Sequence, residues 1–327
     1  MRSPLFFAAG LAALAGVAGA QAPRVRNINF YGLHKVSAER ALRDTKLRPG
    51  EPLPASRGEL EELLAKVPGV ITARVEAVCC EGPETEVFIG IEERGGPHVA
   101  FRSEPAGEAA LPPELTAAYN DYLSAVTRAG STRSSRETQA AELKFSEFAQ
   151  AHRDQVRDVL RNAAEPEQRA IAATVLGFAM RTQAVVDDLE YALQDPDESV
   201  RGNALGSLRP FALLAAKQPG LKLQVSPTWV IELLNSIVLG DRMQAADLLL
   251  TLTDGADRAV LDQIHARALP SLVEMARWES LRFALPPFLL LGRVAGLPDP
   301  ETQSRWSQGE REPVIEKALS RGARKRE

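Results

Sequence analysis

The sequence contains few residues of the kinds that build disulfide scaffolds or metal sites. Its 327 residues include two cysteines and four histidines. The cysteines are adjacent, so a disulfide between them would close no loop and would not stabilise a scaffold. The histidines are scattered, without the spacing that metal ligands have in sequence. The sequence therefore predicts no metal site and no cofactor.

Positive charge is not in excess either. The formal net charge is −4, and the chain lacks the basic stripe that would match a nucleic-acid backbone. One basic cluster, at 321–326, falls in the tail that we assign to 319–327. A solvated tail is the simplest interpretation of that cluster. Nucleic acid is thus not expected as a partner.

Long hydrophobic runs are scarce as well. Residues 5–19 form an apolar run that follows Arg2 and precedes the small residues Ala20 and Ala22. This layout is typical of a secretory signal peptide, which we assign to residues 1–22. The run is shorter than the roughly 20 residues of a membrane-spanning helix. We expect a cleaved signal and an exported, periplasmic protein; the alternative is an uncleaved segment that anchors the chain to the inner membrane.

The next stretch has the pattern of a small α+β module. Alternation of apolar and polar residues over 25–31 predicts a strand with one buried face. Ser37 and Ser56 are suited to cap two short helices. Two further strand patterns follow, at 71–80 and 86–94, separated by residues that favour a turn.

This β-α-α-β-β order resembles a POTRA domain, the polypeptide-transport-associated module, over about 24–94. The motifs that carry the resemblance are Phe30-Tyr31-Gly32, Leu47-x-Pro49-Gly50, Val67-Pro68-Gly69-Val70 and Ile91-Glu92-Glu93. We assign the POTRA-like domain to 23–95. The chain departs from the family in two ways, since no β-barrel follows the module and no long membrane helix precedes it. The resemblance implies binding of polypeptides rather than catalysis.

Helical periodicity dominates the rest of the chain. Residues 96–113 are rich in glycine, proline and alanine, which predicts a linker. Residues 114–164 are predicted to form a helical cap. A motif of arginine, a small residue and leucine then recurs at intervals of roughly 30 to 40 residues, as expected for helical hairpins. Its arginines are Arg169, Arg201, Arg242 and, in a weaker copy, Arg282.

These units resemble HEAT repeats over about 165–306, and residues 195–205 come closest to the family's signature. The resemblance implies a solenoid of stacked helix pairs over 165–318, with polar ladders of arginine and aspartate along the turns. The expected ladder residues are Arg169, Asp197, Arg201, Arg242 and Arg282, with Asp197 and Arg201 paired as one rung. The predicted fold class is an α+β N-terminal module (β-α-α-β-β) followed by an all-α, HEAT-like solenoid.

The second strand of the module is the first candidate binding surface. In the POTRA arrangement this strand lies at the rim of the sheet, where an extended peptide can add through main-chain hydrogen bonds. The alternative is an edge that Arg74 and Glu76 protect with their charges. The candidate partner-binding residues are Ile71, Ala73, Arg74, Val75, Glu76, Ala77 and Val78.

The adjacent cysteines are a second, weaker candidate. Cys79 and Cys80 are interpreted either as a vicinal disulfide or exposed thiol with a redox role, or as ordinary strand residues. Alternation along a strand directs Cys79 into the core as a small hydrophobic residue, and Cys80 outward or under a neighbouring helix. Side chains that point in opposite directions do not bond without distorting the backbone, which favours the ordinary interpretation.

The sequence contains no recognisable catalytic motif. It lacks the nucleophile elbow, the phosphate-binding loop, the dinucleotide fingerprint and the paired-histidine zinc motif. We therefore expect no catalytic residues, and a scaffold that holds other proteins of the cell envelope. Two alternatives stay open, a HEAT-like lyase or chaperone-type enzyme, and a scaffold anchored to the inner membrane. The sequence leaves the partner's identity and the oligomeric state undetermined.

Overall fold

The computed structural model describes residues 22–79, 84–129, 136–255 and 257–321. Within these ranges the chain forms three β-strands and fourteen α-helices. The protein is thus mostly helical with a small N-terminal sheet, which confirms the predicted α+β character at this level. The signal peptide, Cys80, the turn at 81–83 and the basic tail beyond residue 321 lie outside the described residues.

The N-terminal module has the predicted order of strands and helices. Its elements are β1 (Arg24–Tyr31), α1 (Ala38–Leu42), α2 (Arg57–Ala65), β2 (Val70–Cys79) and β3 (Glu84–Glu93). Ser37 and Ser56 cap the two helices, as expected, by accepting hydrogen bonds from backbone N–H groups at 3.2 and 3.1 Å. The sheet order is β1-β3-β2, with β1 parallel and β2 antiparallel to β3. Strand β2 is therefore at an edge of the sheet.

Twelve helices follow the sheet. They are α3 (Pro113–Ala129), α4 (Arg136–Ala151), α5 (Arg153–Asn162), α6 (Pro166–Leu176), α7 (Gln183–Ala192), α8 (Glu198–Lys217), α9 (Pro227–Leu233), α10 (Leu239–Leu252), α11 (Arg258–Ala276), α12 (Leu281–Val294), α13 (Asp299–Ser307) and α14 (Arg311–Arg321). The arginine-led helices α6, α8, α10 and α12 pack on one another in succession. Helices α7, α9 and α11 alternate with them along the chain. No helix among the described residues combines the length and the hydropathy needed to cross a bilayer.

Helix boundaries differ from the sequence pattern at two places. A helix bent or broken at Pro270 is predicted over 260–277, but α11 runs through Pro270 as one helix. A continuous helix is predicted over 229–239, but α9 ends at Leu233 and α10 begins at Leu239. Ser236 occupies the break, where its hydroxyl donates to Asp241 and its carbonyl accepts from Arg242. Asp241 and Arg242 thus form hydrogen bonds with the hydroxyl and the carbonyl of Ser236, and these bonds stabilise the break between the two helices.

Both faces of the sheet are buried. On the side of α1 and α2, Val75 and Ile89 belong to a compact apolar core. The opposite face carries Asn27, Asn29 and Tyr31, which are 7, 3 and 0 % exposed. The expectation that β1 buries only one face is therefore wrong, because the helical part of the protein covers the polar face as well.

Specific hydrogen bonds hold the polar face of the sheet against the helices. The Tyr31 hydroxyl donates to the Ile237 carbonyl at 2.9 Å, and the Asn29 amide oxygen accepts from the Glu279 N–H at 2.9 Å. The Trp278 indole N–H donates to the β1 backbone at 2.9 Å. Close approach also requires Gly90 of β3, since a Cβ there would lie 2.6 Å from the Ile237 carbonyl oxygen. The sheet and the helices thus share a tightly fitted interface.

The segment 96–113 also packs against the helices. The Arg102 N–H donates to the Gln194 carbonyl at 2.9 Å. Gly107 exchanges backbone hydrogen bonds with Asn162 and Ala164, each 2.8 Å long. This stretch, which is glycine- and proline-rich, is therefore fastened at several points along the helical surface.

Candidate functional site

A ladder of buried arginines runs along the arginine-led helices. The Arg169 guanidinium donates to both carboxylate oxygens of Asp195, at 2.9 Å each. Its remaining amino group donates to the carbonyls of Ala163 and Ala164 at 3.0 and 2.8 Å. A buried ion pair of this kind is stable only when its remaining donors and acceptors are also satisfied, and here they are.

The second rung repeats this geometry one unit further along. Arg201 donates to both oxygens of Asp241, with the shortest contact at 2.7 Å. It also donates to the carbonyls of Asp195 and Pro196 at 2.8 and 2.9 Å. Burial raises the pKa of the Asp241 carboxyl, an effect that the hydrogen bonds and charge of Arg201 oppose.

The expected rung between Asp197 and Arg201 is wrong. Asp197 is the N-cap of α8 and accepts from the Ser199 and Val200 N–H groups at 2.9 and 3.2 Å. Its carboxylate is thus engaged by its own helix, and Arg201 pairs with Asp241 of the following unit instead. Asp195 and Asp241 are the ion-pair partners that the sequence interpretation missed, although Asp241 directly precedes the motif arginine Arg242.

The ladder changes character at its end. Arg242 is buried, its Nε donates to the Ser236 carbonyl at 2.5 Å, and its Nη1 forms a longer ion pair with the Glu274 carboxylate, at 3.5 Å. Arg282 is exposed on α12, with its guanidinium 4.4 Å from the centre of the Phe283 ring. The prediction that Arg282 belongs to the ladder is therefore wrong.

A groove crosses the helices beside the second rung, since Asp241 also lines it. It has a volume of about 740 Å³ and lies between α3, α6, α8 and α10. Small residues of α8, among them Gly202 and Gly206, form its floor, and Tyr119 and Tyr122 of α3 form one wall. Asn203 in the floor donates to the Tyr119 hydroxyl at 2.9 Å, which fixes the position of that wall.

Strand β2 forms the far end of this groove. Glu76 and Glu198 line both the groove and a second cleft of about 470 Å³ that runs between α2 and β2. Arg74 pairs with Glu198 across the junction. The two depressions thus adjoin at Glu76 and Glu198, and together we call them the α8–β2 groove.

Among the predicted binding residues of β2, Glu76 and Val75 are bonded to neighbouring groups, whereas Ile71 is exposed. The Glu76 carboxylate accepts from the Leu239 N–H at 3.1 Å, and burial, with a further contribution from Glu198, raises its pKa. The Val75 N–H, which points away from β3, donates to the Glu61 carboxylate at 2.7 Å. Ile71 is 52 % exposed. Part of this edge is therefore already engaged by neighbouring side chains.

Ala73 and Val78 lie on opposite faces of β2, as alternation suggests. Ala73 lies in the core under α1 and α2, and Val78 packs against the helical core. Ala77 pairs with Val87 of β3, and Cys79 pairs with Thr85. Cys80 is outside the described residues, so the cysteine pair stays a prediction.

The residues that the structure describes contain no group of three or more histidine, cysteine, aspartate or glutamate side chains placed to hold a metal ion. No protein-family model matches this sequence. No curated protein matches it either. The α8–β2 groove and the arginine ladder are therefore the features that bear on function.

Proposed function

We propose that this protein is an exported, non-enzymatic scaffold that holds partner proteins in the cell envelope. The observation that carries the proposal is the α8–β2 groove, which is open and whose lining includes several small residues and two tyrosines. Small residues let a polypeptide approach the helix closely, while tyrosines supply contact area at low entropic cost. The charged side chains at its β2 end are paired with one another or with backbone groups, which suits a rim better than a reaction centre.

The architecture we propose is a HEAT-like solenoid joined to a POTRA-like module. Three features support the solenoid: the successive packing of α6, α8, α10 and α12, the alternation with α7, α9 and α11, and the rungs from Arg169 to Asp195 and Arg201 to Asp241. Repeats of this type need their neighbours, because one helical hairpin cannot bury its own apolar face. The order β-α-α-β-β, with β2 at the sheet edge, supports the POTRA-like module.

We further propose that β2 contributes to binding mainly as a wall of the groove. A peptide that added to its edge would have to displace the Glu61 carboxylate from the Val75 N–H. Because that exchange replaces one hydrogen bond to the Val75 N–H by another, it adds little binding free energy. The helical floor offers contact area without such an exchange.

The groove can be blocked without disturbing the fold. A Cβ at Gly206 would meet only the Gln244 side-chain oxygen, at 3.9 Å, so Gly206→Leu adds bulk to the groove floor without a clash at Cβ. Loss of a helical glycine also favours the helix by up to about 1 kcal/mol. Ala216→Leu is the matched control, because Ala216 is an exposed residue of the same helix and does not line the groove.

Affinity capture from envelope extract, with crosslinking, compares the wild-type chain with the Gly206→Leu and Ala216→Leu variants. We expect defined partners with the wild-type chain and with Ala216→Leu, and their loss with Gly206→Leu. Recovery of the same partners with all three, or of none above background, would overturn the role of the groove.

Export is tested separately by sequencing the N-terminus of the protein recovered from the periplasmic fraction. We expect the mature chain to begin close to Pro23. A chain that begins at Met1 and stays with the inner membrane would support the anchored alternative instead.

A further inference from the structure

The β2 end of the α8–β2 groove carries an excess of negative charge. Its lining includes three carboxylates and two guanidinium groups, which belong to Glu61, Glu76, Glu198, Arg57 and Arg74. Glu76 accepts from the Leu239 N–H with one oxygen, and Glu198 pairs with Arg74 through one oxygen. The second oxygen of each has no hydrogen-bond donor among the described residues. Glu198 is exposed, and no oxygen of Glu76 is both buried and unbonded, so both carboxylates are open to a cation.

The opposite end of the groove carries an arginine that forms no ion pair within the described part of the chain. Arg181 lies over the Phe211 ring of α8, 4.2 Å from its centre, and one amino group donates to the Gly177 carbonyl at 2.7 Å. None of its other nitrogens is both buried and unbonded, so they remain open to a ligand in the groove. Asp241, which also lines the groove, is held by Arg201 in the ladder. This end is therefore positive.

An unbonded amide lies between the two charged ends. The Gln244 side chain extends over the floor of α8, where its amide would be 3.1 Å from a Cβ at Gly202 and 3.9 Å from a Cβ at Gly206. No atom of this amide is both buried and without a hydrogen bond. A side-chain amide offers donors and acceptors, so it can bond a peptide group of a bound chain. An extended segment presents such groups, whereas a helix bonds them internally.

The separation of the charged ends fits a short extended segment. Glu198 is the first residue of α8, and Phe211 marks the level of Arg181 along the same helix. At a rise of about 1.5 Å per residue, these positions are about 20 Å apart along the helix axis. An extended chain rises about 3.3 Å per residue, so about six residues span that distance.

We propose that the groove selects an extended segment of a partner protein that has a lysine or arginine at the β2 end and an aspartate or glutamate about six residues away, beside Arg181. This inference rests on the proposed function, because it names the chemistry of the partner that the same groove holds. The cation meets the open oxygens of Glu76 and Glu198. Repulsion between these carboxylates, which adds to burial in raising the pKa of Glu76, is thereby relieved.

The other half of the selection is made at Arg181. Burial lowers the pKa of Arg181, and no described carboxylate opposes that effect. A carboxylate of the partner supplies the missing negative charge and matches the planar guanidinium in geometry. A segment with two charges of the same sign would place one of them against a like charge, which disfavours it.

Calorimetric titration of the full chain with short peptides tests the charge pattern. The parent peptide is Lys-Ala-Ser-Ala-Ser-Ala-Asp, made also in the reverse direction, with both termini blocked so that they carry no charge. Glutamine replaces the lysine in a second peptide, and asparagine replaces the aspartate in a third. A fourth has the composition of the parent with lysine and aspartate adjacent. We expect each of these to bind about fivefold to tenfold more weakly than the parent in its better direction.

Two variants locate the two charges. Arg181→Gln should bind the aspartate and asparagine peptides equally and still prefer lysine to glutamine. Glu198→Gln should lose most of the preference for lysine and keep the preference for aspartate. Arg209→Gln is the matched control and should keep both preferences, because Arg209 is an exposed arginine of α8 that does not line the groove. A general loss of stability would not separate the two preferences in this way.

Three results would overturn the inference. One is the absence of saturable binding of the parent peptide in either direction up to about 10 mM, well above the ~1 mM dissociation constant of a weak complex. Another is equal binding of the parent and of the peptide with adjacent charges. The third is the same change of preference in Arg181→Gln and in Glu198→Gln.

Affinity capture separates this inference from the proposed function. Partners that are lost with Gly206→Leu but fully retained by both Arg181→Gln and Glu198→Gln would leave the groove as a binding surface and refute its charge preference alone. Partners that Gly206→Leu retains would refute both.

Discussion

Replacement of Arg201 by methionine tests the buried ladder most sharply. The side chains of Arg201 and Asp241 are 2 and 1 % exposed, and Arg201 also donates to the carbonyls of Asp195 and Pro196. Methionine fills much of the same space but donates no hydrogen bond, so it leaves a buried carboxylate and two carbonyls without these donors. Removing one partner of a buried ion pair typically costs about 3–5 kcal/mol. We expect the free energy of unfolding to fall by about 4 kcal/mol at neutral pH.

The stability lost in the Arg201→Met variant should become smaller as the pH falls. Burial raises the pKa of Asp241 even with Arg201 present, and removal of Arg201 raises it further. A carboxyl whose pKa is higher in the folded than in the unfolded state makes folding less favourable as the pH rises between those two values. The Arg201→Met variant should therefore regain stability when Asp241 is protonated, with Ser236 still bonded to it at 2.7 Å.

Urea unfolding followed by circular dichroism, at about pH 7 and about pH 5, measures both effects. Arg277→Met is the control, because the side chains of Arg277 and Glu312 are 50 and 55 % exposed and such pairs contribute about 0–1 kcal/mol. The reasoning is refuted if Arg201→Met costs no more than Arg277→Met. It also fails if the loss is the same at both pH values.

Three further predictions concern other parts of the structure. Gly177→Ala should lower the melting temperature, because its Cβ would lie 2.5 Å from the Ser207 hydroxyl, whereas Gly206→Ala should raise it; shifts in the same direction would contradict this. Glu93→Gln should lower the free energy of unfolding by about 2 kcal/mol at neutral pH. Burial raises the pKa of the Glu93 carboxyl, but hydrogen bonds from three backbone N–H groups outweigh burial and lower that pKa. The carboxylate's contribution to stability is therefore lost as the pH falls through the folded-state pKa, and parallel stability–pH profiles for variant and wild type would refute this prediction. Trp278→Phe should cost about 2 kcal/mol and shift the whole urea transition, because the indole N–H holds the sheet to the helices; a separate early transition of the sheet alone would argue against a shared interface.

Local patterns in the sequence predicted most of the local structure, although not the break between α9 and α10. Alternation over 25–31 and the capping serines Ser37 and Ser56 predicted the strand and helices that the structure contains. These signals work because capping and strand periodicity depend on residues close together in the chain. The recurring arginines likewise predicted the starts of successive helices.

Long-range contacts could not be predicted in the same way. Asn27 and Asn29 have the pattern of a solvent-facing side, yet a partner more than 200 residues away in sequence covers them. Asp197 is close to Arg201 in sequence, but capping engages Asp197, and the ion pair forms with Asp241 instead. The α8–β2 groove was missed for the same reason, since a helical glycine such as Gly206 has no local signal that distinguishes a groove from a packing contact.

Photo-crosslinking from inside the α8–β2 groove tests the central claim most directly. Benzoylphenylalanine replaces Tyr122, an aromatic residue of the groove wall, and, as a control, Leu213, an exposed residue of α8 that does not line the groove. In envelope extract, we predict discrete protein adducts from position 122 that excess unlabelled protein suppresses, and little from position 213. Equal labelling from both positions, or no suppression by competitor, would contradict a protein-binding groove.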